Sequence, residues 1–181
     1  MMEVVVPFPD NASIPALFGQ IVGETGGIAY HYTSPANATN DWLVTETIAR
    51  HGAPPDLFEA DGMNAALMVI EAITASGGAA SADALIAALE GMAFAGPKGT
   101  VSIRPEDHVA LQDNYIVRLS NVDDPAANFF EMVTTNGPEP PCLLPVQLED
   151  RCGALPIGSL MRSVFLPLVS RKAQQCGRSR Q

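Results

Sequence analysis

The chain has 181 residues, 47% hydrophobic and 17% charged, enough apolar sequence to bury one domain core and too much to be disordered by composition. Its formal net charge of −10 speaks against a nucleic-acid partner and against an anionic membrane surface, since both would repel it. The charge is uneven: the residues before Arg151 carry four bases against twenty acids, and Arg151, Arg162, Arg171, Lys172, Arg178 and Arg180 all lie at the end.

No apolar run is long enough to span a bilayer. The opening, Met1 to Asp10, has no basic region and is broken by Pro7 and Pro9, so no signal peptide is expected in this chain. The three cysteines, Cys142, Cys152 and Cys176, form no CxxC and fit no zinc spacing.

Val4 to Phe8 is a short apolar run, expected as an edge strand because of Pro7. Ile14, Leu17, Phe18 and Ile21 follow the i, i+3, i+4, i+7 spacing of an amphipathic helix, with Asp10, Asn11 and Ser13 as caps and Gly23, Gly26 and Gly27 as its stop. Ile28 to Tyr32 reads as a strand, which would place Tyr30 and Tyr32 on one face and His31 on the other. A helix follows through Trp42, Leu43 and Ile48, capped from Asn37 to Asn40 and closed by His51-Gly52; Trp42 is expected as its core or groove anchor. Ala53-Pro54-Pro55-Asp56 is a break, and Leu57-Phe58 a short strand or turn.

Asp61-Gly62 then precedes the most apolar helix, where only Asn64 and Glu71 are polar between Met63 and Ile73; such a helix is buried on more than one side. Ser81 or Asp83 opens another, with Leu85, Ile86, Leu89 and Met92 on one face, ending at Gly91. Strands are expected through Val101 and Ile103, from Tyr115 to Leu119, and from Phe129 to Val133. Helices alternating with short apolar strands predict α/β layers around a largely parallel sheet. The domain would span residues 1–152, with 153–181 as a basic, poorly ordered tail.

Few motifs carry chemistry. Gly96-Pro97-Lys98-Gly99 lacks the Lys-Ser/Thr of a phosphate loop and leads from helix to strand, so it reads as a turn. Glu106, Asp107 and His108 are neighbours on a turn, where side chains seldom converge on one point; they would be the sole candidates if the chain were a small cytosolic enzyme. No nucleophile elbow is present. No catalytic residue, metal site or cofactor is therefore expected. Tyr30 and Tyr32 would sit near the C-terminal end of their strand, where open α/β sheets bind ligands, or be core tyrosines. Asp61 would meet a ligand amine or cap its helix. Cys142 and Cys152 would form a disulfide in an oxidising compartment, or stay free thiols in a reducing one.

The order and spacing of Ser34-Pro35-Ala36-Asn37, Gly52-Ala53-Pro54-Pro55-Asp56, Asn64-Ala65-Ala66, Ile70-Glu71-Ala72-Ile73, Ala87 to Gly91, Gly96 to Gly99, Arg104, Asp107-His108, Leu111-Gln112 and Tyr115 resemble the later half of the type I periplasmic solute-binding proteins of ABC transporters, the branched-chain amino acid and amide class. The resemblance implies an incomplete type I periplasmic-binding fold built of Rossmann-like lobe elements. It implies a small polar solute, such as an amino acid or amide, and ABC permease subunits as partners, a periplasmic or extracytoplasmic location, and no cofactor or catalysis. With half of the lobes, it implies a truncated protein with weak solute binding or none and with apolar helix faces left exposed. The alternative within the same fold is a ligand-sensing or protein-interaction domain that regulates a partner.

Overall fold

A computed structural model describes residues 6–7, 10–78, 81–138, 141–142 and 144–156. It divides into two units: Met1–Arg104 with Val109–Pro138, and Pro105–His108 with Glu139–Gln181. Most of the expected basic tail, and Cys176 with it, lies outside the described residues.

The first unit is built on a four-stranded sheet in the order β1 (Val6–Pro7), β2 (Thr25–Ile28), β6 (Asn114–Leu119), β7 (Phe130–Asn136). Strands β2 and β6 run antiparallel, with Thr25 opposite Arg118 and Ile28 opposite Tyr115. Along β6 the period-two pattern buries Tyr115, Val117 and Leu119 on one face. Ile28, Phe129, Phe130 and Ile14, from the short helix α1 (Ser13–Leu17), complete that core. The β6–β7 register shifts between Ile116 and Val117, where a bulge adds one residue to β7.

Between β2 and β6 come three consecutive helices and a small sheet. Helix α2 (Ala38–His51) starts at Asn37, whose side chain accepts the Asn40 amide, and stops at Gly52 with φ 73°, a left-handed position glycine adopts without strain. Helix α3 (Leu57–Ala75) starts at Asp56 in a capping box: the Asp56 amide donates to Glu59 Oε2 at 2.9 Å, and the Asp56 carboxylate accepts from the helix backbone. Asp56 Oδ2 also accepts the Asn11 amide at 2.7 Å, tying the start of α3 to the segment before α1. Helix α4 (Ala82–Leu89) is capped by Ser81. Strands β3 (Ala93–Gly96), β4 (Gly99–Ile103) and β5 (Ala110–Leu111) then form an antiparallel meander.

This corrects the expectation of a largely parallel sheet. Among the described residues only β1 and β2 pair in parallel. The cause is local: Leu57 and Phe58, expected as a strand, are the first turn of α3, because Asp56 and Glu59 supply a complete cap six residues earlier than Gly62 suggested. Without a strand there, α2, α3 and α4 follow one another and no βαβ crossover forms between them. Strand β3 was not expected; it pairs with β4 through the two-residue turn Pro97-Lys98.

In the second unit, Cys142 and Cys152 are joined by a disulfide, with Cα atoms 5.9 Å apart and a sequence separation of 10. The 3-10 turn Val146–Cys152 leads into the second cysteine, and the Cys142 amide donates to the Pro156 carbonyl at 2.8 Å.

Asp56→Ala removes the cap of α3 and leaves the Asn11 amide unpaired. It is expected to cost about 1–2 kcal/mol in urea unfolding, and Glu59→Ala distinctly less.

Candidate functional site

Tyr30 and Tyr32 do not lie on a strand. Strand β2 ends at Ile28, and the chain then bends. Asn40 at the start of α2 holds the bend: its Nδ2 donates to the carbonyls of Tyr32 (2.9 Å) and Pro35 (3.2 Å), and its Oδ1 accepts the Tyr30 hydroxyl at 2.7 Å. Tyr30 is 4% exposed and packs with Leu43 and Ala60; burial pushes its hydroxyl pKa well up. The Tyr32 hydroxyl donates to the Ala126 carbonyl at 3.0 Å.

His31, expected on a strand face, is buried beside them. Its Nε2 is 2.9 Å from the Ala127 carbonyl, which can only accept, so Nε2 carries the proton and Nδ1 accepts from the Thr33 hydroxyl at 2.7 Å. Burial lowers the His31 pKa and keeps the ring neutral. Both tyrosine hydroxyls and the imidazole are thus used to fasten the bend and the loop at residues 126–127. Trp42, expected as an anchor, is 54% exposed on α2, beside a shallow depression it shares with Thr39 and Met63.

Asp61 does not cap α3, whose cap is Asp56. It stands in the second turn of the helix, where its Oδ1 is 3.8 Å from Lys98 Nζ. That distance makes an ion pair but exceeds a hydrogen bond. The Lys98 side chain has no solvent exposure, although it starts from a hairpin turn where lysines normally reach water. Among the described residues Nζ has no hydrogen-bond partner. Burial pulls its pKa below the ordinary 10.5, against the opposing pull of the Asp61 and Asp113 carboxylates. The turn that carries it is held on both sides: Asn37 Nδ2 donates to the Pro97 carbonyl at 2.8 Å, and the Tyr115 hydroxyl lies 3.5 Å from the Lys98 carbonyl.

Next to this pair a cavity of about 190 Å³ opens between α3 and the β3–β4–β5 sheet. Phe94, Val101 and Met68 give it apolar walls, and Asp61, Asn64 and Gln112 give it polar edges. Asn64 is 8% exposed and donates from Nδ2 to Gln112 Oε1 at 3.3 Å. Its Oδ1 is buried without a partner among the described residues and presses against Gly96, where an added Cβ would run into it. Such a site can hold a small, partly apolar molecule by shape and a few polar contacts. Among the described residues no cluster of His, Cys, Asp or Glu could hold a metal ion. Of the residues singled out from sequence, Asp61 lines this cavity, while Lys98 and Gln112 were not singled out; a lysine between proline and glycine in a turn carries no signal that it will be buried.

The family model described as periplasmic binding protein matches residues 1–124. Among solved structures, the chain is similar to an ABC-type branched-chain amino acid transporter from Rhodopseudomonas palustris, with 36% identity and a TM-score of 0.67, over 76% of this chain and 36% of that one. It is similar to a solute-binding protein of an ABC transporter from R. palustris BisB5, solved with 3,4-dihydroxybenzoic acid, with 26% identity and a TM-score of 0.62, over 74% of this chain and 37% of that one. A substrate-binding protein of an amino acid ABC transporter from Pseudomonas fluorescens shares the fold at 22% identity and a TM-score of 0.64, over 85% of this chain and 40% of that one. The chain thus spans well under half the length of the structures it matches. A search of curated proteins finds no match.

Replacing Lys98 by methionine removes a buried cation and leaves only the half-exposed Asp61 behind. Lys98→Met is expected to be neutral or to stabilise the chain by about 1 kcal/mol at pH 7. Because the folded-state pKa of Lys98 is depressed, the unfolded chain binds more protons there, and the lysine's penalty shrinks as pH rises toward 10.5. The difference in urea midpoint between the two proteins should therefore narrow between pH 7 and 10. Gly96→Ala, which drives a methyl against Asn64, is expected to cost about 1–3 kcal/mol in the same assay.

Proposed function

Because the chain belongs to the periplasmic binding protein family, a family of solute-binding proteins and not of enzymes, we propose that it supplies part of the solute-binding component of an ABC importer. The elements would be those of the later half of the relatives' fold, and the solute an amino acid, an amide or a similar small polar molecule. The observation that carries the reading is the 36% identity to the R. palustris branched-chain amino acid transporter over three quarters of this chain. ABC permease subunits would be the partners, and the extracytoplasmic side of the membrane the place of work. Among the described residues no helix is long and apolar enough to cross a membrane.

The geometry supports a binding role at the level of residue chemistry. Tyr30 and Tyr32 spend their hydroxyls within the fold. Asp61 retains a half-exposed side chain at the mouth of the cavity, so it is the one of the three that can still meet a ligand's ammonium or amide N–H. The walls at Phe94, Val101 and Met68 suit a short aliphatic or aromatic side chain. The relative solved with 3,4-dihydroxybenzoic acid supports an aromatic acid as the second ligand class.

The cavity between α3 and the β3–β4–β5 sheet offers a solute few polar contacts among the described residues, so weak affinity is expected. In calorimetric titration with leucine, acetamide, urea and 3,4-dihydroxybenzoate, the chain should show dissociation constants of about 1 mM or weaker. Any response to leucine or an amide should be lost in Asp61→Ala. Micromolar binding would contradict this reading of the cavity. A tight response to a solute of some other class would favour a self-contained sensor domain.

A further inference from the structure

The loop between β6 and β7, residues 120–129, meets the bend after β2 through two neighbouring side chains. His31 Nε2 donates to the Ala127 carbonyl at 2.9 Å, and the Tyr32 hydroxyl donates to the Ala126 carbonyl at 3.0 Å, so consecutive donors of the bend face consecutive acceptors of the loop. Val122 and Ala127 also lean on the β6 core. Otherwise the loop is bonded to itself. Ser120 Oγ and Asn121 Nδ2 donate to the carbonyls of Phe129 and Asn128, and Asp124 accepts the amides of Ala126 and Ala127. Ala127 sits at φ 55°, in the left-handed region where a residue with a Cβ stays only when its surroundings hold it.

The group that holds it is one whose charge changes near neutral pH. His31 is 2% exposed, with its ring edge-on to Phe130 at a centroid distance of 5.1 Å and 4.7 Å from the ring of Tyr32. The ionisable residues around it supply no counter-charge. On its own bend, Tyr30 and Tyr32 stay uncharged, their pKa values pushed up by burial. In the loop, Asp123 is exposed, while Asp124 turns a carboxylate oxygen to the Ala126 amide and acts on the Tyr32 hydroxyl. On β7, Glu131 follows Phe130 and is exposed. The ring itself feels burial, which lowers its pKa, and the Ala127 carbonyl, which opposes that pull without cancelling it.

We propose that His31 is an acid-released latch: mild acidification undocks the 120–129 loop from the bend at residues 30–33, because the ring takes up a proton only when the loop leaves it. The inference is independent of which solute the cavity beside α3 takes. The docked ring is neutral, and the freed ring returns to the ordinary 6.5. The docked state is therefore favoured most above pH 6.5 and loses ground as pH falls below it, down to the docked ring's own lower pKa. Between pH 7.5 and 5.5 the population of the open loop should rise about tenfold.

The test is methyl relaxation-dispersion NMR on the full chain labelled at its alanine methyls, with Ala126 and Ala127 reporting the loop and the His31 ring shift followed in the same samples. The expected result is the tenfold rise in open population, with the ring gaining its proton only in the open state. In His31→Gln the amide still donates to the Ala127 carbonyl but takes no proton, so the open population should be flat with pH. Tyr32→Phe cuts the neighbouring tie and spares the imidazole. It should raise the open population at every pH and keep the ratio between pH 7.5 and 5.5, and this comparison stands even where His31→Gln fails to fold. An open population in the parent chain that ignores pH would overturn the proposal. So would a pH response that survives in His31→Gln, or a ring that takes up its proton while the Ala126 and Ala127 signals stay docked.

Discussion

Antiparallel pairing of Thr25–Ile28 with residues 115–118 brings together segments separated by three helices and a three-stranded sheet. Closing so long a loop is entropically unfavourable, and the ladder of a four-residue strand does not offset it alone. What offsets it is the apolar set on one face: Ile28, Tyr115, Val117 and Leu119, with Ile14, Phe129 and Phe130 laid against them. Everything between the two strands then hangs from a closed base. The Asn40 knot sets the path out of β2, the Asp56 cap fixes where α3 begins, and the Lys98 turn is held from both sides by Asn37 and Tyr115.

The apolar sequence is not used evenly. The sheet around β6 is buried to the level of an ordinary domain, whereas α3, richer in apolar residues, buries two alanines and an asparagine. A helix with Phe58, Val69, Ile70 and Ile73 in water gains little from packing and must draw on its cap and its propensity. Polar groups near the same helix are also underused: Asn64 Oδ1 and Lys98 Nζ are buried without hydrogen bonds among the described residues. Exposed apolar side chains on α3 and orphaned polar atoms on it and on the facing turn thus gather in one region of the described residues. The same region borders the cavity between α3 and the β3–β4–β5 sheet.

The helices were legible in the sequence because their ends carry strong local chemistry. Asn37, Gly52 and Ser81 each mark a boundary that the structure keeps. The strand at residues 114–119 was legible from its period-two pattern. The start of α3 is hard to place from sequence because Gly62 looks like a boundary, while the signal that decides, Asp56 with Glu59 three residues on, follows a proline-broken stretch. Strand β3 was missed because Ala93, Ala95 and Gly96 carry no strand preference; its pairing comes from the Pro97-Lys98 turn and from β4. The site was less legible still. Tyr30 and Tyr32 share a face only if their segment is a strand, and Asn40, ten residues away from Tyr30, decides that it is not. Lys98 gave no sign of burial, because burial there depends on α3 lying across the turn, a tertiary fact.

Native-state amide hydrogen exchange on the full chain tests the central claim most directly, since it reads the free energy of opening element by element. The account predicts that amides of β6 exchange only through global unfolding, while those in the middle of α3, from Ala65 to Ile73, exchange at least a hundredfold faster by local opening. Equal protection of α3 and β6 would mean that the helix is already fully packed, and would contradict the account of α3 as a helix held by its cap and propensity with little help from packing.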